Sequence, residues 1–319
     1  MTWKTASEKG KMDNIAQAGA VGQSTMMPKA DTNGLNKSPL HGLWALTNKE
    51  LKKWYRTPVL LFMTLIQPIL WLGLFGKAFN IGGIFTSGSF SIPGFNIPKE
   101  VLDQIANTMM QNTFGTTDYF SFLAVGMLTF IVLFTAMFSG MSIVWDRRLG
   151  ILNKVLSTPV ARGNIVLSKV FSSVVRSLIQ AAIVLVIAIL FGMNTANLTV
   201  AGILGTFFGL FLLTLGFSSI FLMLALRSTD QNTQMAIINL LNLPLLFGSN
   251  ALFPSSFMPS WLQAFVNVNP ISYAADMGRQ LLLGATGMAS LAFDFAYLAA
   301  FALIFATISI ILSWRFLKR

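Results

Sequence analysis

The chain has 319 residues and a formal charge of +11, with 54% apolar and only 10% charged side chains. An ordinary soluble domain carries roughly 25% charged residues. A soluble enzyme, a disordered chain and a fibrous repeat are therefore excluded, and the mean hydropathy of +0.68 points to a multi-span membrane protein. Cysteine is absent and His41 is the single histidine, which leaves no thiolate or histidine cluster for a metal.

In chain order, residues 1–38 are rich in Gly, Ser, Thr, Asn, Lys and Ala and lack periodicity. They read as a mobile cytoplasmic tail, with a regulatory or targeting role as the alternative. Residues 39–57 form an amphipathic helix. Leu40, Leu43, Trp44, Thr47, Leu51, Trp54 and Tyr55 share one face, and Asn48, Lys49, Glu50, Lys52, Lys53 and Arg56 the other. Ser38-Pro39 suits its N-cap, and Thr57-Pro58 turns the chain into the bilayer. Basic residues opposite Trp describe an interfacial helix on the inner leaflet, either a plain anchor or a platform for a cytoplasmic partner.

Crossing a hydrocarbon core of about 30 Å takes about 20 apolar residues. Six segments qualify: 58–79, 119–144, 166–191, 198–226, 235–253 and 291–314. With the N-terminus inside, 18 of the 22 Lys and Arg lie on the inner side, and only Lys77, Lys99 and Arg279 lie outside. Both termini are then cytoplasmic, and the charge marks a membrane face rather than a nucleic-acid surface. Between the fifth and sixth segments, Phe253-Pro254, Met258-Pro259 and Asn269-Pro270 break an apolar stretch into pieces too short to span. This pattern fits a pair of re-entrant or interfacial helices, a plain outer loop being the alternative.

The second-to-third connection, 145–164, contains a short helix with Leu149, Leu152, Leu156 and Pro159 near one face, stopped by Thr158-Pro159. It has little slack, so a push on it passes to both neighbouring spans. The alternative is a basic loop that only sets topology. Arg176 lies about nine residues into the third span, roughly 14 Å deep. It needs a partner, Glu50 or Asp146, as an inner-leaflet latch, or else a role at a substrate or gate. Phe130, Phe134 and Phe138 recur every fourth residue, and Asn239 and Asn242 share a side of the fifth span; they are candidates for a substrate cavity or for ordinary packing. Asp276 and Arg279, three apart, pair on an outer helix.

The run 122–128, then 134–150 ending in Trp145-Asp146-Arg147-Arg148-Leu149-Gly150, then Leu156-Ser157-Thr158-Pro159-Val160-Ala161-Arg162 and the outer Asn269-Pro270-Ile271-Ser272-Tyr273, resembles the type-2 permeases of ATP-binding cassette exporters. It is most similar to the daunorubicin-resistance permease group. The resemblance covers about residue 43 to the end. It implies an all-α membrane protein: an N-terminal connecting helix (39–57, including Trp44, Lys49, Glu50 and Lys53) and a six-span permease domain over 58–319 with outer re-entrant helices. A cytoplasmic coupling helix at 146–162 would use Asp146, Arg147, Arg148, Gly150, Leu152, Leu156, Pro159 and Arg162. The acidic residue that often follows the Asp-Arg pair is Arg148 here. The resemblance further implies a homodimer on two cytosolic ATPase subunits in the cytoplasmic membrane, with the second and fifth spans lining a central cavity.

A phosphate loop G-x-x-x-x-G-K-[ST] is missing: Gly76-Lys77-Ala78 lacks the upstream Gly and the hydroxyl residue. No nucleophile elbow or paired catalytic carboxylates stand out. No catalytic residue, metal or cofactor is thus expected on this chain, and ATP and Mg belong to the partner. The function expected is the export of an amphiphilic drug-like molecule, a lipid or a lipid-linked glycan. An ion-coupled secondary transporter is the alternative, and it lacks a mid-span acid.

Overall fold

A computed structural model describes residues 39–78, 99–158, 162–228, 230–285 and 290–316. The expected tail at 1–38, the Gly- and Pro-rich stretch 80–98 of the sequence and Pro159 lie outside them. Every regular element among the described residues is helical.

Helix α1 (Pro39–Tyr55) is the amphipathic helix. The residues it buries or half-buries, Leu43, Leu46, Thr47, Glu50, Leu51 and Trp54, recur every three or four positions and lie against a later helix, α6 (Arg162–Leu190). Trp44 and Tyr55 are exposed beside this packed face. One expectation is corrected: Glu50, read as polar-face, is turned inward. Pro58 opens α2 (Pro58–Trp71) at N1, where its missing N–H costs nothing. Pro68, inside α2, deletes a ladder hydrogen bond, and the helix continues as a π-helix over Leu72–Ala78.

Helix α3 (Lys99–Phe114) is mostly exposed and anchors through Met110 and Phe114. Asp118 then caps α4 (Tyr119–Arg148), accepting from the amides of Phe120 and Ser121. Helix α4 is the axle of the fold: α6, α7 (Val200–Arg227), α8 (Gln231–Phe247) and α10 (Pro270–Leu283) all pack on it. Gly126 lets α4 approach the backbone after α8; a Cβ there would stand 1.8 Å from the Ala251 carbonyl oxygen. The short α5 (Ile151–Leu156) follows α4, a 3₁₀ turn (Ser255–Phe257) and α9 (Ser260–Val266) precede α10, and α11 (Leu291–Phe316) closes the chain against α7, α10 and α6.

Four helices, α4, α6, α7 and α11, are long and apolar enough to cross a bilayer. At 1.5 Å per residue they run about 39–45 Å, beyond the hydrocarbon core of about 30 Å. The first expected span, 58–79, is helical over 58–78, as the 14 residues of α2 followed by its π continuation. The fifth is shorter than expected: α8 has 17 residues, starts earlier and ends at Phe247, with Gly248 as its C-cap. The expected short helices before the last span are present as α9 and α10.

Polar side chains stitch the long helices together. Thr135 donates to Gln180 Oε1 at 2.6 Å, Gln180 Nε2 donates to Thr64 at 2.6 Å, Ser218 donates to Ser173 at 2.8 Å, and the Ser177 and Thr214 hydroxyls lie 2.9 Å apart. Lipid offers helices little hydrophobic drive to associate, so such bonds fix which faces meet.

Candidate functional site

At the α1 end, Asp146 and Arg147 occupy the last turn of α4. Lys169, 3% exposed on the second turn of α6, donates to Asp146 Oδ2, to Glu50 Oε1 at 3.1 Å and to Ser142 Oγ at 3.3 Å. An ammonium has three donors, and all three are used. Lys53 Nζ stands 3.8 Å from Asp146 Oδ1. Burying a cation costs several kcal/mol, and two carboxylates and a hydroxyl offset it. The result is one polar joint holding α1, α4 and α6.

The expectation named Arg176 as the latch to Glu50 or Asp146, and the structure corrects it. Arg176 Nε donates to the Ser172 carbonyl at 3.1 Å and a terminal nitrogen to Ser172 Oγ at 3.4 Å, while both acids go to Lys169. In the sequence Lys169 is simply one of the 18 inner-side charges. The signal available was its position seven residues before Arg176, two turns closer to the helix end on the same face.

Arg147 donates to the carbonyls of Ser228 at 2.7 Å and Leu226 at 3.1 Å, satisfying the C-terminal end of α7. Arg148 reaches Gln231 Oε1 at 3.4 Å. Gly150 (φ +68°) lies in the left-handed region that favours glycine, and it turns the chain from α4 into α5. Of the expected coupling residues, Leu152 and Leu156 lie on α5 itself, Leu152 buried and Leu156 half-buried. Arg162 already opens α6. Leu149, expected near one face of the short helix with Leu152 and Leu156, is instead the exposed C-cap of α4, outside α5. Asn153, Lys154, Ser157 and Thr158 are exposed around it. On α1, Lys49, Lys52, Lys53 and Arg56 surround a shallow cleft of about 400 Å³. Asp230, the N-cap of α8, accepts from the Thr233 amide at 2.6 Å, which holds its carboxyl below the usual carboxylate range.

Along α4 the Phe stripe runs from core to surface. Phe130 is 1% exposed and Phe138 42%. Successive rings stand 4.6 and 6.3 Å apart. On α8, Asn239 is exposed and Asn242 half-buried, with Asn242 Oδ1 buried and unpaired among the described residues.

At the other end of α4, Arg279 is fully buried with its guanidinium 3.5 Å from the Phe122 ring centroid. One terminal nitrogen lies 3.3 Å from Asp276 Oδ1, and the other donates to the carbonyls of Asn250 at 3.0 Å and Ala251 at 2.9 Å. Asn250 Nδ2 donates to the same Asp276 oxygen at 2.7 Å. The expected Asp276–Arg279 pair is thus present, and it pins the turn after α8 to α10. A cavity of about 520 Å³ opens beside it, walled also by the end of α3.

Residues 41–283, from α1 through α10, match the model of the ABC-2 type transporter family. The chain belongs to the ABC-2 type transporter family. It is 30% identical over 240 residues to a protein named as a transport permease, ycf38, of Cyanophora paradoxa, covering 75% of this chain and 73% of that one. It is 25% identical over 173 residues to the daunorubicin resistance ABC transporter permease protein DrrB1 of Streptomyces coeruleorubidus, covering 54% and 61%. A third relative, 27% identical over 173 residues and covering 52% and 45%, is YbhR of Escherichia coli K12, named as a multidrug ABC transporter permease. Membership makes this ABC-2 chain a membrane-integral transport permease rather than an enzyme in its own right.

Proposed function

We propose that this ABC-2 permease is the membrane subunit of an ATP-driven exporter. Two copies would stand on two cytosolic ATPase subunits that hold ATP and Mg. In this reading α2 with its π continuation and α8 complete six spans, both termini are cytoplasmic, and the chain resides in the cytoplasmic membrane. The cargo is an amphiphilic drug-like molecule, a lipid or a lipid-linked glycan; the names of two relatives favour the first.

The observation that carries the reading is the joint at Lys169. Helix α5 and the basic cleft on α1 are the parts a cytosolic motor would touch. Lys169 ties α1 to α4 and α6, and α5 hangs between α4 and α6. A load applied at either contact is delivered to the same two long helices. The Phe stripe of α4 then supplies an apolar wall for cargo, and the exposed Asn239 amide of α8 a polar contact, with Asn242 beside it.

Co-purification and reconstitution test this. The permease and an ABC ATPase are placed in liposomes with a fluorescent amphiphile. Transport that needs both proteins and ATP, together with crosslinks from α5 to the ATPase, upholds the reading. Transport by the permease alone on an ion gradient replaces it with a secondary transporter.

A further inference from the structure

One face of α6 changes partners along its length. Lys169 reaches Glu50 on α1, and Gln180, about three turns on, reaches Thr64 on α2. Arg176 lies between them, and all three fall within about 40° around the helix. It therefore stands where the chain leaves α1 for α2, in the roughly 16 Å between the two contacts. Its Nε donates to the Ser172 carbonyl, one turn back, so the guanidinium is drawn toward the α1 end of α6. A cation on an apolar helix takes this course when it reaches back for the bilayer surface.

The guanidinium is not spent there. Of its five N–H groups, one on Nε and one on a terminal nitrogen are bonded, which leaves three. The other terminal nitrogen has no partner among the described residues and is not sealed inside the chain. Arg176 is half-buried, and Phe171, Val175 and Ile179, on the adjoining stripe of α6, are exposed. Among the described residues no acid pairs with it, since Glu50 and Asp146 both go to Lys169. Set against those two acids, Lys53, Lys169 and Arg176 leave the corner one positive charge in excess.

Open N–H groups call for an acceptor, the excess charge for an anion, and the exposed apolar stripe for an anion with a hydrocarbon body. A phosphodiester carries one negative charge and accepts two parallel bonds from a guanidinium. In a phospholipid it lies at the bilayer surface, the level at which an amphipathic helix such as α1 rests. Basic positions between membrane helices hold phosphate-bearing headgroups in this way. We propose that the notch between α1 and α2 binds one phospholipid of the leaflet at the α1 end, its phosphate on Arg176 and its acyl chains along Phe171, Val175 and Ile179. The site makes no use of a motor, so it holds or fails independently of an ATPase partner.

The test strips the full chain of lipid in detergent, titrates it with dioleoyl phosphatidylglycerol and counts bound lipid by native mass spectrometry. Dioleoylglycerol, which lacks the phosphate, oleate and inorganic phosphate are the comparison probes. One phosphatidylglycerol per chain is expected to bind first, about tenfold or more tighter than dioleoylglycerol or oleate. Inorganic phosphate should not displace it, which separates a lipid headgroup from a free anion. Arg176→Gln should fold, because it removes an uncompensated charge, and should weaken the first site about tenfold. Arg176→Lys should restore part of the loss. Lys49→Gln combined with Lys52→Gln, which discharges the cleft on α1, should leave the first site in place. A first site that takes dioleoylglycerol or oleate equally well, yields to inorganic phosphate, survives Arg176→Gln unchanged or vanishes with the α1 lysines overturns the proposal. So does a high-resolution map of the chain in a phosphatidylglycerol nanodisc that shows Arg176 on Glu50 and no lipid in the notch.

Discussion

Lys169 and Glu50 are 119 residues apart in sequence and 3.1 Å apart in space. The contact draws an amphipathic helix at the bilayer edge onto the interior of a long apolar one. Removing the cation leaves Glu50 and Asp146 buried without it. Lys169→Met is expected to destabilise the permease by about 3 kcal/mol. Adding Glu50→Gln and Asp146→Asn to that variant should restore most of the loss, because an apolar side chain then faces neutral partners. Thermal unfolding followed by tryptophan fluorescence reads both; a triple variant no more stable than the single one contradicts the account.

Arg147 serves the open carbonyls at the end of α7. Arg147→Ala should cost about 2 kcal/mol, within the range for bonds from a charged donor. Arg147→Lys should recover only part of it, since one ammonium cannot reproduce the planar fork. Hydrogen exchange at the C-terminal turn of α7 should rise in both variants, more in the first. An unchanged rate in Arg147→Ala rules the capping role out.

Gln180 joins Thr135 on α4 to Thr64 on α2. Thr64 also donates to the Leu61 carbonyl of its own helix, and the one Thr135 hydroxyl proton has the Ile131 carbonyl, 2.8 Å away, as its alternative acceptor. Gln180→Leu is therefore expected to be mild, about 1 kcal/mol for two interhelical bonds in a membrane. Its folded yield and melting temperature check this, and outright misfolding would show that the stitch does more than hold faces in register.

Asp230 should confer a pH dependence. Its folded pKa lies below the ordinary value of 3.8 because the Thr233 amide bonds the charged form. Its stabilising effect is full above that ordinary value and is lost as pH falls through the lower folded one. Asp230→Ala should thus lower the melting temperature at pH 7, with the gap closing below about pH 4. Asp230→Ser, which keeps a capping acceptor, should show a smaller gap with little pH dependence.

The four long helices were legible because a bilayer demands uninterrupted apolar length, and hydropathy measures that directly. The extent of the first expected span was legible as well, since α2 and its π continuation cover 58–78; how α2 and α8 absorb Pro68 and Pro244 was not, because hydropathy does not report it. The pair Asp276–Arg279 was legible from its i,i+3 spacing on one helix. The joint at Lys169 was not, because its three residues come from three elements and no local spacing relates them. The sequence shows that a buried cation needs Glu50 or Asp146, but the cation that draws the eye is Arg176, two turns deeper than the Lys169 that meets them. The unspent N–H groups of Arg176 were invisible for another reason: a missing bond has no sequence signature.

Helix α4 carries the Asp146 joint near one end and the Phe122 ring beneath Arg279 near the other, about 36 Å away at 1.5 Å per residue. In the proposed reading such a rod would serve as a rocker arm. A tilt of about 5° pivoting at the Lys169 end would sweep the far tip sideways by about 3 Å, on the scale of the cavity beside Arg279, without bending any backbone. Leverage of that kind needs no relay of small adjustments along the way: a torque delivered through α5 would be felt at the Phe122 end in the same stroke.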